Sequence, residues 1–213
     1  MDESVNSHDR ELDVILACID QIIPGQRFAL AGLSYGGYLA RGVVYRQAEQ
    51  LDGLCLLATR IKKNRSDISV PKRITLVTND TLRDELAPQE VGVFESLVVQ
   101  SRQGLERLRE HFFPGMALHK RKHSEKVIAN GPGLSFDVDD LKHPFTKPAL
   151  IIAGRQDGTV GYQDAWGILP KFPRATFAVL DKAGHFLGMA EQIELVGALI
   201  HEWLERVESE IIA

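Results

Sequence analysis

Arg27-Phe28-Ala29-Leu30-Ala31-Gly32-Leu33 is followed at once by Ser34-Tyr35-Gly36-Gly37-Tyr38-Leu39-Ala40-Arg41-Gly42-Val43-Val44. The first seven residues are a short apolar run of strand length. Tyr38, Leu39, Val43 and Val44 then recur at helical spacing, so a helix is expected right after Ser34, running to about Gln50. The junction, Gly32-Leu33-Ser34-Tyr35-Gly36, is a G-x-S-x-G sequence. At a sharp strand-to-helix turn the serine backbone is strained and its hydroxyl stands above the sheet. Side chains at Gly32 and Gly36 are expected to collide with neighbouring backbone there. The helix dipole favours negative charge at the serine, and the backbone N–H of Tyr35 is placed as an oxyanion donor.

A serine hydroxyl needs a base to become a nucleophile, and the base needs a group to orient it. Downstream, the apolar run Ala149–Ala153 ends in Gly154-Arg155-Gln156-Asp157-Gly158, and Thr176–Leu180 ends in Asp181-Lys182-Ala183-Gly184-His185-Phe186. A residue just past the carboxyl end of a parallel strand lies on the same sheet edge as the serine turn. Ser34, Asp157 and His185 therefore come from three strand ends, in the order Ser…Asp…His of one known triad. Asp157 could also be turn chemistry beside Gly158, and Asp181 and Asp164 are its rivals as orienter. His8 and His201 occupy positions read as helix surface, whereas His111, His119, His123 and His143 lie in or beside a basic middle stretch.

Around this frame, Leu12, Ile15, Leu16, Ile19 and Ile22 give a first helix from about Ser7 to Ile23, ended by Pro24-Gly25. Gly53–Ala58 is a second buried strand, Asp164–Leu169 lies in a helix, and about Phe186 to Val207 is a final amphipathic helix. Buried strands alternating with helices imply a mostly parallel sheet covered on both faces, the α/β class. From Arg60 to Lys126 the chain carries 14 Lys+Arg against 9 Asp+Glu. This stretch has helical patterns such as Glu95–His111 and no strand rhythm, and Asn130-Gly131-Pro132-Gly133 is a breaker cluster. It reads as an insertion over the sheet edge.

The 213 residues suit one domain with an inserted lid. A net charge of −4 lacks the basic excess of a nucleic-acid binder. No apolar run is long enough to cross a bilayer, and the acidic first twenty residues are not a signal peptide. Cys18 and Cys55, the only cysteines, both sit among apolar neighbours as small core residues, which points to a reducing cytoplasm rather than a disulfide framework. His119 and His123 are four apart, but the setting His119-Lys120-Arg121-Lys122-His123 repels a divalent cation, so no metal site is expected. Asp137, Asp139 and Asp140 read as a solvated acidic loop. Lys120-Arg121-Lys122 reads as a solvated surface, the other reading being attraction of an anionic substrate or partner.

The matches Gly32–Gly37, Ile151–Val160 and Lys182–Phe186 resemble the α/β-hydrolase family, and the order of elements resembles it over nearly the whole chain. The resemblance implies Ser34 as nucleophile, Asp157 as acid and His185 as base. It implies a hydrolase core at 1–59 and 148–213, and a largely helical lid at 60–147. Val160 and Phe186 would stand near a pocket for a small-molecule substrate. The implied chemistry is acyl-enzyme hydrolysis of a small ester, amide or activated C–C bond, with no cofactor. Similar folds also host lyases and cofactor-free oxygenases. Compared with the family, the strands and the second oxyanion loop usual before the nucleophile strand have no counterpart, so the chain resembles the carboxy-terminal part of the fold. The expectation is an exposed edge strand that pairs with another copy or a missing amino-terminal segment, or else a truncated, catalytically impaired remnant that binds a ligand or protein.

Overall fold

The computed structural model describes residues 5–189 and 191–212. Helix α1 (His8–Ile22) begins where the Ser7 side chain accepts the N–H of Arg10 at 3.3 Å, an N-cap bond. Gly25, at φ +67°, then turns the chain into strand β1 (Phe28–Leu33). Helix α2 (Tyr35–Gln47) leads to strand β2 (Leu51–Leu57). That strand starts earlier than its apolar run suggests, because Asp52 pairs with Arg27 across the ladder at 2.6 Å. After a long segment come β3 (Ala149–Gly154), a short helix (Gln163–Gly167), β4 (Ala175–Leu180) and a last helix (Ile193–Ile212).

All strand pairs are parallel, in the order β1-β2-β3-β4. β3 is buried along its whole length, as expected of a strand with helices on both faces. Alternate residues feed two cores. Leu54, Leu56 and Ile151 face α1 and α2, packing with Leu12, Tyr38 and Val43. Cys55, Leu150 and Ile152 face the last helix, packing with Val196, Trp203 and Val207. β1 is an outer strand, and its Ala29, Ala31 and Leu33 are exposed. Among the described residues, no helix is long and apolar enough to cross a membrane.

The segment between β2 and β3 holds five short α-helices: α3 (Asp80–Arg83), α4 (Pro88–Glu95), α5 (Arg102–Arg107), α6 (Phe113–Leu118) and α7 (Arg121–Ala129). The single helix expected over Glu95–His111 is interrupted. Between α4 and α5 the chain extends, and Leu76 and Gln100 exchange backbone bonds with Val98 and Val77 at 2.7 and 2.9 Å. Leu82, Phe94, Leu97, Leu105 and Leu108 form a separate small core. Leu134, Val138 and Phe145, by contrast, belong to the main core. The stretch 60–147 is thus not one body apart from the sheet, because its end packs under α2. Fully buried Arg41 fastens that end: it pairs with Asp139 and donates to the carbonyls of Arg60 and Ile61 at 2.9 and 3.0 Å.

The last helix, α9, begins at Ile193 rather than near Phe186, with α8 the Gln163–Gly167 helix before it. The Leu187 N–H donates to the His185 carbonyl and the Met189 N–H to the Phe186 carbonyl, a tight turn that amphipathic spacing does not reveal. α9 also runs past Val207 to Ile212.

Candidate active site

Ser34 lies between β1 and α2 at φ 54° and ψ −118°, a region side-chain-bearing residues rarely occupy. Its neighbours over-determine this backbone. The Ser34 N–H donates to the Leu57 carbonyl at 2.9 Å, and the Ser34 carbonyl accepts from Arg60 at 3.0 Å and Gly37 at 3.1 Å. The end of β2 bends around the turn, with buried Ala58 at φ 40°. A methyl group on Gly32 would meet the Gly36 carbonyl oxygen at 2.6 Å, as expected. Gly36, however, has open space where its side chain would stand. The second tight contact belongs to Gly37, where a methyl group would run into Thr59 Oγ1.

His185 Nε2 stands 2.9 Å from Ser34 Oγ, and His185 Nδ1 stands 3.0 Å from Asp157 Oδ2. Asp157 is fully buried, and its other oxygen accepts the N–H groups of Thr159 at 2.8 Å and Val160 at 3.0 Å. Those two bonds and the imidazole satisfy the carboxylate where water does not reach it. The rivals differ: Asp164 accepts the Ser69 N–H at 2.9 Å, and Asp181 is exposed.

No protein-family model matches the chain, and no curated protein matches it significantly. Solved structures do. An alpha/beta superfamily hydrolase from Oenococcus oeni PSU-1 is 24% identical, with 95% of this chain and 75% of that one aligned at a TM-score of 0.85. A serine hydrolase from Cycloclasticus zankles is 16% identical over 93% of this chain and 73% of its own, at 0.60. A thermophilic esterase from Thermogutta terrifontis is 21% identical over 94% and 73%, at 0.53. This is an α/β-hydrolase fold.

In this α/β-hydrolase fold the Tyr35 N–H is the first of α2, where no helical carbonyl can accept it. Val160 is buried in the α9-side core with Ala58 and Leu187, and its N–H donates to Asp157. The Phe186 ring sits edge-to-face with Phe112 at 5.0 Å and joins the small core of the inter-strand segment. A cleft of about 1110 Å³ lies at the opposite end of the α/β-hydrolase sheet, among Gln26, Arg27, Asp52, Lys147 and Glu210, away from Ser34.

Several residues sit where the sequence reading did not put them. His8 is buried, not a surface residue, with Nδ1 2.5 Å from the Tyr35 hydroxyl. The signal was its place one turn before Leu12 on the apolar stripe of α1. Cys18 is exposed on that helix rather than in the core, while burial pushes the Cys55 thiol up to about 12. His123 faces Glu11 at 3.3 Å. Asp139 is held by Arg41 instead of standing in a solvated loop.

Proposed function

We propose that the protein is a serine hydrolase that cleaves a small ester, amide or activated C–C bond through an acyl-enzyme. The observation that carries this is the unbroken series Ser34 Oγ, His185 Nε2, His185 Nδ1 and Asp157 Oδ2, with separations of 2.9 and 3.0 Å. His185 takes the hydroxyl proton as Ser34 attacks the substrate carbonyl. Asp157 holds the imidazole in the tautomer that leaves Nε2 free to accept, and stabilises the imidazolium that forms. The Tyr35 N–H stabilises the developing oxyanion. His185 then protonates the leaving group, and water releases the acyl group by the same steps in reverse roles. The helices between β2 and β3 act as a lid over the site, anchored beside the base through Phe186 and Phe112. The names of the similar structures, among them an esterase and a meta-cleavage product hydrolase, support this reaction class.

Reaction of the purified protein with a fluorophosphonate, followed by peptide mapping, tests the reading. Ser34 is the expected adduct site, with labelling abolished in His185→Ala. A folded protein that resists the probe contradicts the reading. It would favour the second one, a binding protein, for which the open edge of β1 is the supporting observation.

A further inference from the structure

Directly beneath the serine turn lies a polar cluster that the hydrolytic steps do not use. The Tyr35 hydroxyl is hydrogen-bonded to a carboxyl oxygen of Glu11, and His8 Nδ1 stands 2.5 Å from the same hydroxyl. His8 Nε2 lies 3.0 Å from the Gly131 carbonyl, which can only accept, so Nε2 carries a hydrogen. The second Glu11 oxygen faces His123 Nε2 of α7 at 3.3 Å. Four parts of the chain meet here: α1, the first residue of α2, α7 and the turn after it.

The line His8 Nδ1, Tyr35 hydroxyl, Glu11 carboxyl has two contacts, and each needs a hydrogen. The hydroxyl supplies one. The other must sit on His8 Nδ1, making an imidazolium, or on Glu11, making a neutral acid. A neutral His8 with an ionised Glu11 would set two lone pairs against each other at one contact. The complete line therefore holds one proton more than the separated groups hold at neutral pH.

We propose that His8 and Glu11 are positioning residues: by sharing one proton with the Tyr35 hydroxyl they clamp the first turn of α2, and hence the Tyr35 N–H beside Ser34, in a pH-dependent way. The oxyanion role of that N–H rests on the serine-hydrolase reading; the proton sharing does not. The charged and titratable groups facing the cluster are Asp9 and Glu11 of α1, Tyr38 of α2, Arg60 after β2, and His123 of α7. Asp9 and Glu11 favour the extra proton and Arg60 opposes it. Burial, the largest influence, pushes the His8 imidazole below its ordinary value, so the clamp closes on the acid side and loosens as pH rises.

The test uses the full chain, isotope-labelled for NMR, from about pH 5 to pH 9, the span in which histidines exchange protons. The His8 imidazole and the Tyr35 amide should titrate with one midpoint. Tyr35→Phe, which keeps the ring and the peptide N–H, should move the His8 midpoint and uncouple the amide at position 35. Glu11→Gln, which keeps an acceptor for the hydroxyl, should lower the midpoint. An unmoved His8 midpoint in both variants overturns the proposal, as do separate midpoints in the unmodified protein. Fluorophosphonate labelling is then timed over the same range. Its rate should inflect at the His8 midpoint, and Tyr35→Phe should lose the inflection and label about tenfold more slowly, as for a misplaced donor. A pH profile that the variant leaves unchanged overturns the positioning role. Coupled NMR titrations in a protein that never labels overturn the hydrolase reading and the oxyanion role with it, while the shared proton stands.

Discussion

The two glycines of the serine motif do different work. A methyl group at Gly32 would stand 2.6 Å from the Gly36 carbonyl oxygen and 2.7 Å from the Gly37 Cα, both backbone atoms that cannot swing aside. At Gly36 nothing lies within 4 Å of that position. Gly32→Ala should therefore displace the turn and slow fluorophosphonate labelling of Ser34 about 10²-fold, the cost of misplacing a reacting group by roughly an ångström. Gly36→Ala should label as fast as the unmodified protein, and it adds a better helix former to the first turn of α2. Equal losses in the two variants would show that the tight approach at Gly32 is not what fixes the turn. The sequence motif marks both glycines alike, since a pattern of residue types does not say which Cα faces backbone and which faces solvent.

Among the elements, the pair Glu90 and Arg109 ties α4 to the helical turn following α5 with bonds of 2.8 Å. The guanidinium, helped by the Ala87 N–H, holds the Glu90 carboxyl down at about 2. A carboxylate depressed in the folded state stabilises it fully above its unfolded value, about 4.3, and loses that contribution as pH falls toward 2. Glu90→Gln should lower the urea midpoint at pH 7, and the difference from the unmodified protein should shrink steadily on acidification below about pH 4. A gap independent of pH would remove the ion pair as its cause. These elements are also where the sequence was least legible. β1 to β4, α1, α2 and α9 are long or apolar enough for periodicity to show them. α3 to α7 span 4 to 9 residues each, too few turns for a repeating stripe. The three residues Ser34, Asp157 and His185 were legible because each follows the end of a parallel strand. Arg41 was not, since a buried charged side chain on a helix is recognised only by its partners, and those lie on other elements, whereas His8 was marked only by its place on the apolar stripe of α1.

For the whole molecule, the strand order leaves β1 on the outside, with Ala29, Ala31 and Leu33 exposed and no charged side chain along its length. Such an edge invites pairing, and a charge on it discourages pairing. Light scattering should show concentration-dependent association that Ala31→Lys reduces; a monomer at every concentration would contradict this. The sheet also has a seam. β1 and β2 are joined through α2, β3 and β4 by a short connection, but β2 meets β3 only along Leu54–Leu57 against Ala149–Ile152, after the whole segment 58–148 has been traversed. Closing so long a loop must precede any reward from the contact, which makes that step slow in folding. Ser34 belongs to one side of the seam, while Asp157 and His185 belong to the other. During refolding, far-ultraviolet dichroism should recover ahead of probe reactivity, since each half can regain its helices while its chemistry waits for the other. Recovery of both signals at a single rate would mean the seam closes with the helices. On the hydrolase reading proposed above, a nascent chain stays inert until its last strands have docked, because Ser34 meets His185 only once the seam has closed.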